Sequence, residues 1–351
     1  MMTDGPITVL ASDYQTFIAA LFRAAGLSEP AAARMGAALV EADLEGLPSH
    51  GTMQAETYLR RLMGGGTTTL DRADIVRDDG AIAVMDARHM LGHLSAEQAM
   101  ALACDKAALH GAGVVAVRNA FHFGAAGRYA RQAAMADCVG IALCNSRPVM
   151  PAPGGAEPLV GTNPIAIGLP TDGDPMVLDM ATSAGTVARL RLAAQAGRPI
   201  PEGWAVDAEG NPTTDAAAGL KGMLLPMGGA KGFGLALMID LLAGLLSSGD
   251  WGDAVKGMHV DRAAPAGLSH LFLAIHIGHF RPPEGFRAEA GEAKVRVRKS
   301  RRAPGVDRLY TPGERKVETA RASGGLVAVP AGQAAALRRL AGELGVSSTP
   351  L

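Results

Sequence analysis

Apolar positions in the first 65 residues recur at helical spacing. Over residues 13–25, Phe17, Ile18, Leu21 and Phe22 share one helical face, and Ser12 with Gln15 reads as a capping box ahead of them. Gly26 ends that run. Ser28, with Pro30 just behind it, starts a second helix that continues through residues 32–44. A third is predicted over residues 51–63, stopping at Gly64-Gly65-Gly66. From about Ile75 the pattern changes. AIAVMDA, GVVAVRN, GIALCN, NPIAIGLP and PMVLDMA are short β-rich runs bounded by Gly, Pro, Asn or Asp. Helical stretches at 95–110, 125–136 and 183–196 lie between them, and this alternation predicts an α/β domain. A helix over 232–247, the strand LFLAIHI and two helices near 312–321 and 331–344 follow, the last two expected to pack back on the N-terminal helices.

Composition narrows the picture. A chain of 351 residues, 48% apolar and 19% charged, can bury a sizeable core and is not disordered. Lys and Arg number 33 against 34 Asp and Glu, so no global basic field exists to hold nucleic acid or an anionic membrane. Cys104, Cys138 and Cys144 form no CxxC pair, which with the absence of a signal-peptide pattern predicts a reducing, cytoplasmic setting. The most apolar helical run, residues 233–246, carries Asp240 and reads as too short for a bilayer. Residues 294–302 (KVRVRKSRR) hold six basic side chains in nine and read as a solvated face or linker; a contact to the 2′-phosphate of NADP is the sharper reading.

Neither G-x-G-x-x-G after a strand nor G-x-x-x-x-G-K-[ST] occurs, so any dinucleotide is held without a standard Rossmann turn. Chemistry-bearing residues cluster instead in five short motifs. Ser49-His50-Gly51 follows the second helix; Ser49 is expected to cap the third helix, with His50 in its first turn, where the helix dipole favours the neutral ring. Asn119-Ala120-Phe121-His122-Phe123-Gly124 follows a strand and opens a helix, a common place for ligand sites in α/β proteins. His122 between two phenylalanines reads equally well as a core histidine. Gly161-Thr162-Asn163-Pro164 and Leu178-Asp179-Met180-Ala181-Thr182-Ser183 sit at strand termini, the second expected to lead into a helix whose free amides suit phosphate. In Gly228-Gly229-Ala230-Lys231-Gly232-Phe233-Gly234, a lysine in a helix's first turn is locally unfavourable, which points to function.

Taken in order, SHG, HFG, GTNP, LDMATS, IPEGWAVDAEGNPTTD, LPMGGAKGFGLALMIDLLAG and TPGE resemble the malate/L-lactate dehydrogenase type 2 family over about residues 10–345. The resemblance implies an α/β, non-Rossmann dinucleotide-binding domain with a mixed sheet, residues 73–310, and a helical domain from residues 1–72 with 311–351. It implies NAD or NADP as cofactor, a small-molecule carboxylate as substrate and a homodimer. It makes His50 the proton donor and His122 a second catalytic or substrate-binding histidine, with Ser49, Gln54 and Asn163 at the substrate. Cofactor contacts fall on Thr162, on Asp179, Met180, Ala181, Thr182 and Ser183, on Lys231 and Gly232, and on Pro312, Gly313 and Glu314. The activity implied is reduction of a 2-oxoacid to the 2-hydroxyacid; reduction of a cyclic imine such as piperideine-2-carboxylate is the alternative, and an inactive dinucleotide-binding homologue the second. One residue departs from the pattern. Many members read SHG-x-x-R, with arginine on the substrate carboxylate, where this chain has Gln54, which cannot form a charged bidentate fork. Either another base such as Arg60 or Arg128 replaces it, or the substrate is less acidic or bulkier than malate.

Overall fold

The structure, a computed structural model, describes residues 5–259 and 261–351. Strand β1 (Ile7–Leu10) runs directly into helix α1 (Ala11–Ala24), whose N-cap is Leu10. The capping box does not form, because tertiary pairing sets the start of α1. The Ala11 amide donates to the Gly325 carbonyl at 2.8 Å, beside the ribbon that β1 makes with a C-terminal strand, and Ser12 is left inside the first turn. Helix α2 (Glu29–Leu44) is capped as expected, Ser28 Oγ accepting from the Ala31 amide at 3.3 Å. Two single 3-10 turns, Pro48–His50 and Thr52–Gln54, delay α3 to Ala55–Gly64.

The remaining elements follow in order: β2 (Asp74–Asp79), β3 (Ile82–Asp86), α4 (Gly92–His110), β4 (Ala112–Ala120), α5 (Gly127–Ala134), β5 (Cys138–Cys144), β6 (Ile165–Leu169) and β7 (Met176–Met180). A small lobe contains α6 (Val187–Gln195), β8 (Ala205–Val206), β9 (Pro212–Thr213), α7 (Ala216–Lys221) and β10 (Met223–Leu224). Then come α8 (Ala230–Ser247), β11 (Leu268–His276), α9 (Pro283–Lys299), α10 (Glu314–Ala322), β12 (Leu326–Val329) and α11 (Ala331–Leu344).

Seven strands form one mixed sheet in the order β2-β3-β4-β11-β5-β6-β7, with β3 and β4 parallel and the other neighbours antiparallel. Helices α4 and α5 cover one face of it and α8 the other. The main core runs unbroken from Tyr14, Phe22 and Leu39 in the N-terminal helices through Phe121 to Phe272 in the sheet. The chain termini come together as well: β1 pairs antiparallel with β12, and Arg60 of α3 binds Glu343 of α11.

Several elements escaped the hydrophobic pattern, among them β2 and the short elements β8, β9, α7 and β10 of the small lobe. The ribbon strands β1 and β12 have four residues each, and α9 buries none of its residues, so it carries no apolar stripe. The basic tract at 294–302 begins in the last turns of α9 and is mostly exposed, in keeping with a solvated face. Helix α8 is longer than its apolar run. Its 18 residues are long and apolar enough to cross a membrane by length and composition. It packs on the sheet instead, and buried Asp240 accepts from Asn145 Nδ2 (3.1 Å) and the Gly252 amide (3.2 Å).

Candidate active site

Both histidines sit on turns that only glycine permits. A Cβ on Gly51 would lie 2.0 Å from Asp43 Oδ1, and one on Gly124, at φ +74, would lie 2.5 Å from His93 Nε2. Asn119 also adopts a left-handed conformation, φ +50, and its carboxamide donates to both oxygens of Asp86 at 3.0 Å. That turn takes the chain off the end of β4 and presents Phe121-His122-Phe123 toward the N-terminal helices. Thr52 fastens the SHG side: its amide and hydroxyl donate to Asp43, and it accepts from Tyr14 (2.9 Å) and Gln333 (2.7 Å). Burial pushes the Asp43 carboxyl up to about 6.

The two turns bring His50 and His122 together, rings stacked at 5.9 Å between centroids and 20° apart in plane. Ser49 Oγ lies 3.1 Å from His50 Nδ1. Tyr58 Oη lies 2.6 Å from His122 Nδ1. Burial raises the Tyr58 phenol far above its ordinary value, so it stays protonated and donates to Nδ1. The neutral His122 ring then carries its proton on Nε2. The two imidazoles differ in electrostatics. Burial lowers His122 well below the usual histidine value, and His50, His93, His270 and His259 lower it further. Burial lowers His50 too, and Lys316 adds to that, but Asp179 opposes it. His50 is therefore the ring whose charged form a carboxylate supports. The low value follows from desolvation, not from the helix terminus that the sequence suggested, since His50 precedes α3 and Ser49 caps nothing there.

Asp179, at the end of β7, is paired with Lys316 of α10 at 2.6 Å. Around this pair lies a cavity of about 390 Å³ lined by Val177, Gly313, Lys316, Gly127 and the Glu41, Glu45 and Arg131 side chains. A small adjoining space shares Glu41, Glu45 and Arg131 and reaches His50, His93 and Arg128. The volume lies within the roughly 300–1,000 Å³ of ligand pockets. Gly313, at φ +82, brings its backbone against β7, where a Cβ would lie 2.8 Å from the Val177 carbonyl. The LDMATS and TPGE motifs, 130 residues apart in the chain, thus meet beside His50.

Other expected residues fall elsewhere or are tied up. Asn163 is fully buried; its Oδ1 accepts from the Ser146 amide (2.9 Å) and its Nδ2 donates to the Ala236 carbonyl (2.9 Å), so it braces a loop. Thr162 offers its carbonyl to the Thr182 amide and hydroxyl, both at 2.9 Å. Ser183 Oγ donates to the Gly185 carbonyl at 2.6 Å. Helix α6 begins only at Val187 with Thr186 as its cap, so Thr182 and Ser183 occupy no helix N-terminus. Glu314 accepts from Thr311, Arg298 and Arg308; burial alone would raise its carboxyl, but these bonds outweigh burial and hold it down at about 2. Met180 and Ala181 are half-buried beside Asp179, and Pro312 is exposed. Lys231 is exposed at the start of α8, and Gly232 is packed where a Cβ would lie 2.2 Å from the Met227 carbonyl. Gln54 Nε2 donates to the Ser49 carbonyl at 3.0 Å. Of its expected replacements, Arg60 is bound to Glu343 on the surface, while Arg128 reaches the space beside His50 but is paired with Glu41.

Several residues in this constellation were not singled out from sequence: Tyr58, His93, Lys316 and the Glu41-Glu45-Arg131 group. Tyr58 had one usable signal, since it shares a helical face with Arg61 three residues on.

The sequence profile of the malate/L-lactate dehydrogenase family matches residues 9–337. The chain belongs to that family. It is 37% identical over 308 residues to a malate dehydrogenase of Pyrococcus abyssi, covering 86% of this chain and 84% of that protein. It is 35% identical over 291 residues to the NAD(+) ureidoglycolate dehydrogenase of Escherichia coli K12, covering 83% of each. Sulfolactate dehydrogenase from Methanocaldococcus jannaschii superposes with a TM-score of 0.92 at 34% identity, covering 97% of this chain and 98% of that one. Relatives named for NAD(+) and for NADP(+) both occur. The mixed α/β fold of the dehydrogenase family is thereby that of this chain.

Proposed function

We propose that this dehydrogenase-family chain is an NAD(P)H-dependent reductase of a small 2-oxoacid, working reversibly on the 2-hydroxyacid. The observation that carries the reading is the stacked His50–His122 pair, with His50 lining a small space that adjoins the cavity of Val177, Gly313 and Lys316. When bound, the nicotinamide supplies the hydride that reaches the substrate carbon. The chain's own part is positional and protic. His50, supported by the Asp179 carboxylate, gives a proton to the developing alkoxide; His122, fixed by Tyr58, points Nε2–H at the same oxygen. Lys316, Gly313 and the Asp179 strand end would hold the cofactor, with Met180 and Ala181 beside them.

The domain division we infer, residues 1–72 with 311–351 against 73–310, puts the reacting centre at the seam, with a dinucleotide held without a Rossmann turn. We further infer a homodimer. The reading is tested by incubating the enzyme with a panel of 2-oxoacids, with NADH and NADPH in parallel, and following the nicotinamide absorbance. Turnover of at least one oxoacid is expected. Turnover of cyclic imines alone would move the enzyme to C=N chemistry, and no turnover with either class would leave a non-catalytic homologue.

A further inference from the structure

Arg61 is an arginine with 1% exposure, and no carboxylate side chain bonds to it among the described residues. Its guanidinium is taken up by backbone carbonyls of a loop some 200 residues away. Nε donates to Met258 (2.9 Å), Nη1 to Ala264 (2.7 Å), and Nη2 to Asp261 (2.7 Å) and Gly257 (3.4 Å). The same guanidinium lies 5.1 Å from the centroid of Phe121, the residue before His122. Asp261 closes the loop on itself, its Oδ1 accepting from the Ala263 and Ala264 amides at 2.8 and 3.3 Å. The loop is pressed on the end of α3, where a Cβ on Gly66 would lie 2.2 Å from the Arg262 carbonyl. A buried charge is retained only where its donors are met. Here they are met by the loop's backbone carbonyls, with the Phe121 ring against the same guanidinium.

The fastened loop places His259 next to Met258 and Arg262 next to Asp261, whose carbonyls hold Arg61 over the ring of Phe121, the residue before His122. His259 is close enough to His122 for its charge to oppose protonation there. His259 itself stands among Arg61, Arg147, Arg191 and Arg262, and burial together with these four charges lowers it. No ion pair to a carboxylate is made by His259, Arg147, Arg191 or Arg262 among the described residues, whereas Arg128 is neutralised by Glu41 and Arg60 by Glu343. Gln54 leaves the substrate carboxylate without the arginine of the SHG-x-x-R pattern. We propose that Arg61 is a positioning residue that clamps the loop residues 257–259 and 261–264, and that Arg262 and His259 on this loop take over recognition of the substrate's anionic end. The proposal rests on the 2-oxoacid reading for its substrate and on the Arg61 geometry for its clamp.

Two measurements separate these. Limited trypsinolysis of the full-length protein reads the clamp without catalysis: Arg61→Lys, whose single ammonium cannot span four carbonyls, is expected to be cut after Lys256 at least tenfold faster than wild type. Steady-state kinetics with the best oxoacid read the recognition. Arg262→Gln and His259→Gln, both at exposed positions, are expected to raise KM for the oxoacid at least tenfold, with kcat falling less than threefold and NAD(P)H affinity unchanged. Arg61→Lys should show the same KM-against-kcat split. Unchanged trypsin sensitivity in Arg61→Lys overturns the clamp. Unchanged KM in both loop variants, or a KM effect found only in Arg128→Gln, overturns the recognition. If wild type turns over no oxoacid, the functional reading fails while the trypsin result still decides the clamp.

Discussion

At the residue scale the site turns on what each imidazole is bonded to. His50→Ala removes the one ring with carboxylate support, so kcat/KM for oxoacid reduction is expected to fall by about 10²–10⁴, the range of general acid catalysis, while titration of NAD(P)H fluorescence shows unchanged binding. Loss of binding instead would make His50 a cofactor residue. Because burial holds His50 below the usual histidine value of 6.5, its protonated form is lost on the acid side of neutrality. Reduction is therefore expected to slow as pH rises toward 6.5, and hydroxyacid oxidation to reach its plateau before neutrality, which a pH profile of both directions checks. Tyr58→Phe strips the donor from His122 Nδ1 and frees the ring to take the other tautomer. A buried acceptor left unbonded costs about 1–3 kcal/mol, and denaturant unfolding should show that loss beside a drop in kcat. His93 and His270 give a separate, structural prediction. Burial depresses both to about 3 from 6.5, so the native state excludes protons that the unfolded chain binds. Their contribution is present above about pH 6.5 and is lost as pH falls toward 3. Unfolding free energies measured across that window should decline with acid.

At the scale of elements, close packing of helices on the site is set by glycines whose neighbours are backbone. In α4, a Cβ on Gly92 would lie 2.0 Å from the Phe121 carbonyl and 2.6 Å from that of His122. Gly92→Ala must therefore push the start of α4 away from the Phe121-His122 turn. Overpacking of this kind costs about 1–3 kcal/mol, and activity should fall with stability. Gly332→Ala in α11 meets nothing within 4 Å and has no positive φ, so it is expected to be neutral or to stabilise by up to about 1 kcal/mol. Thermal unfolding of the pair distinguishes site packing from a general intolerance of alanine. The same scale explains what sequence could reveal. Helices with an apolar stripe and strands with β-rich runs were legible, because period and burial coincide in them. Helix α9 was not, since it buries nothing. The start of α1 was misread because Ala11 answers to Gly325, a partner no local window contains. In the site, His50 and His122 were legible through their adjoining glycines and motif order. Arg61 and Lys316 were not: their partners lie about 200 and 137 residues away, and each looked like an ordinary helix cation.

At the scale of the molecule, α8 carries its side chains the wrong way round for a monomer. Toward the sheet it presents Ala236, Ile239, Asp240 and Ala243, all buried. Toward solvent it presents Met238, Leu242, Leu245 and Leu246, all but Leu242 more than half exposed, with Trp251 close by in sequence. These four follow i, i+4, i+7, i+8 spacing, the stripe by which a surface helix buries one face. Burying a leucine side chain stabilises by about 1.5–3 kcal/mol, so the outward stripe represents a large unfavourable exposure unless something covers it. A second copy of the chain, bringing the same self-complementary stripe across a two-fold axis, meets that requirement without another partner. Light scattering on the purified protein is expected to give twice the chain mass. Leu245→Lys with Leu246→Lys, which places charge on the stripe but leaves the sheet-facing residues intact, should halve that mass while far-UV circular dichroism stays unchanged. A monomeric wild type, or a dimer indifferent to both lysines, would assign this face another role.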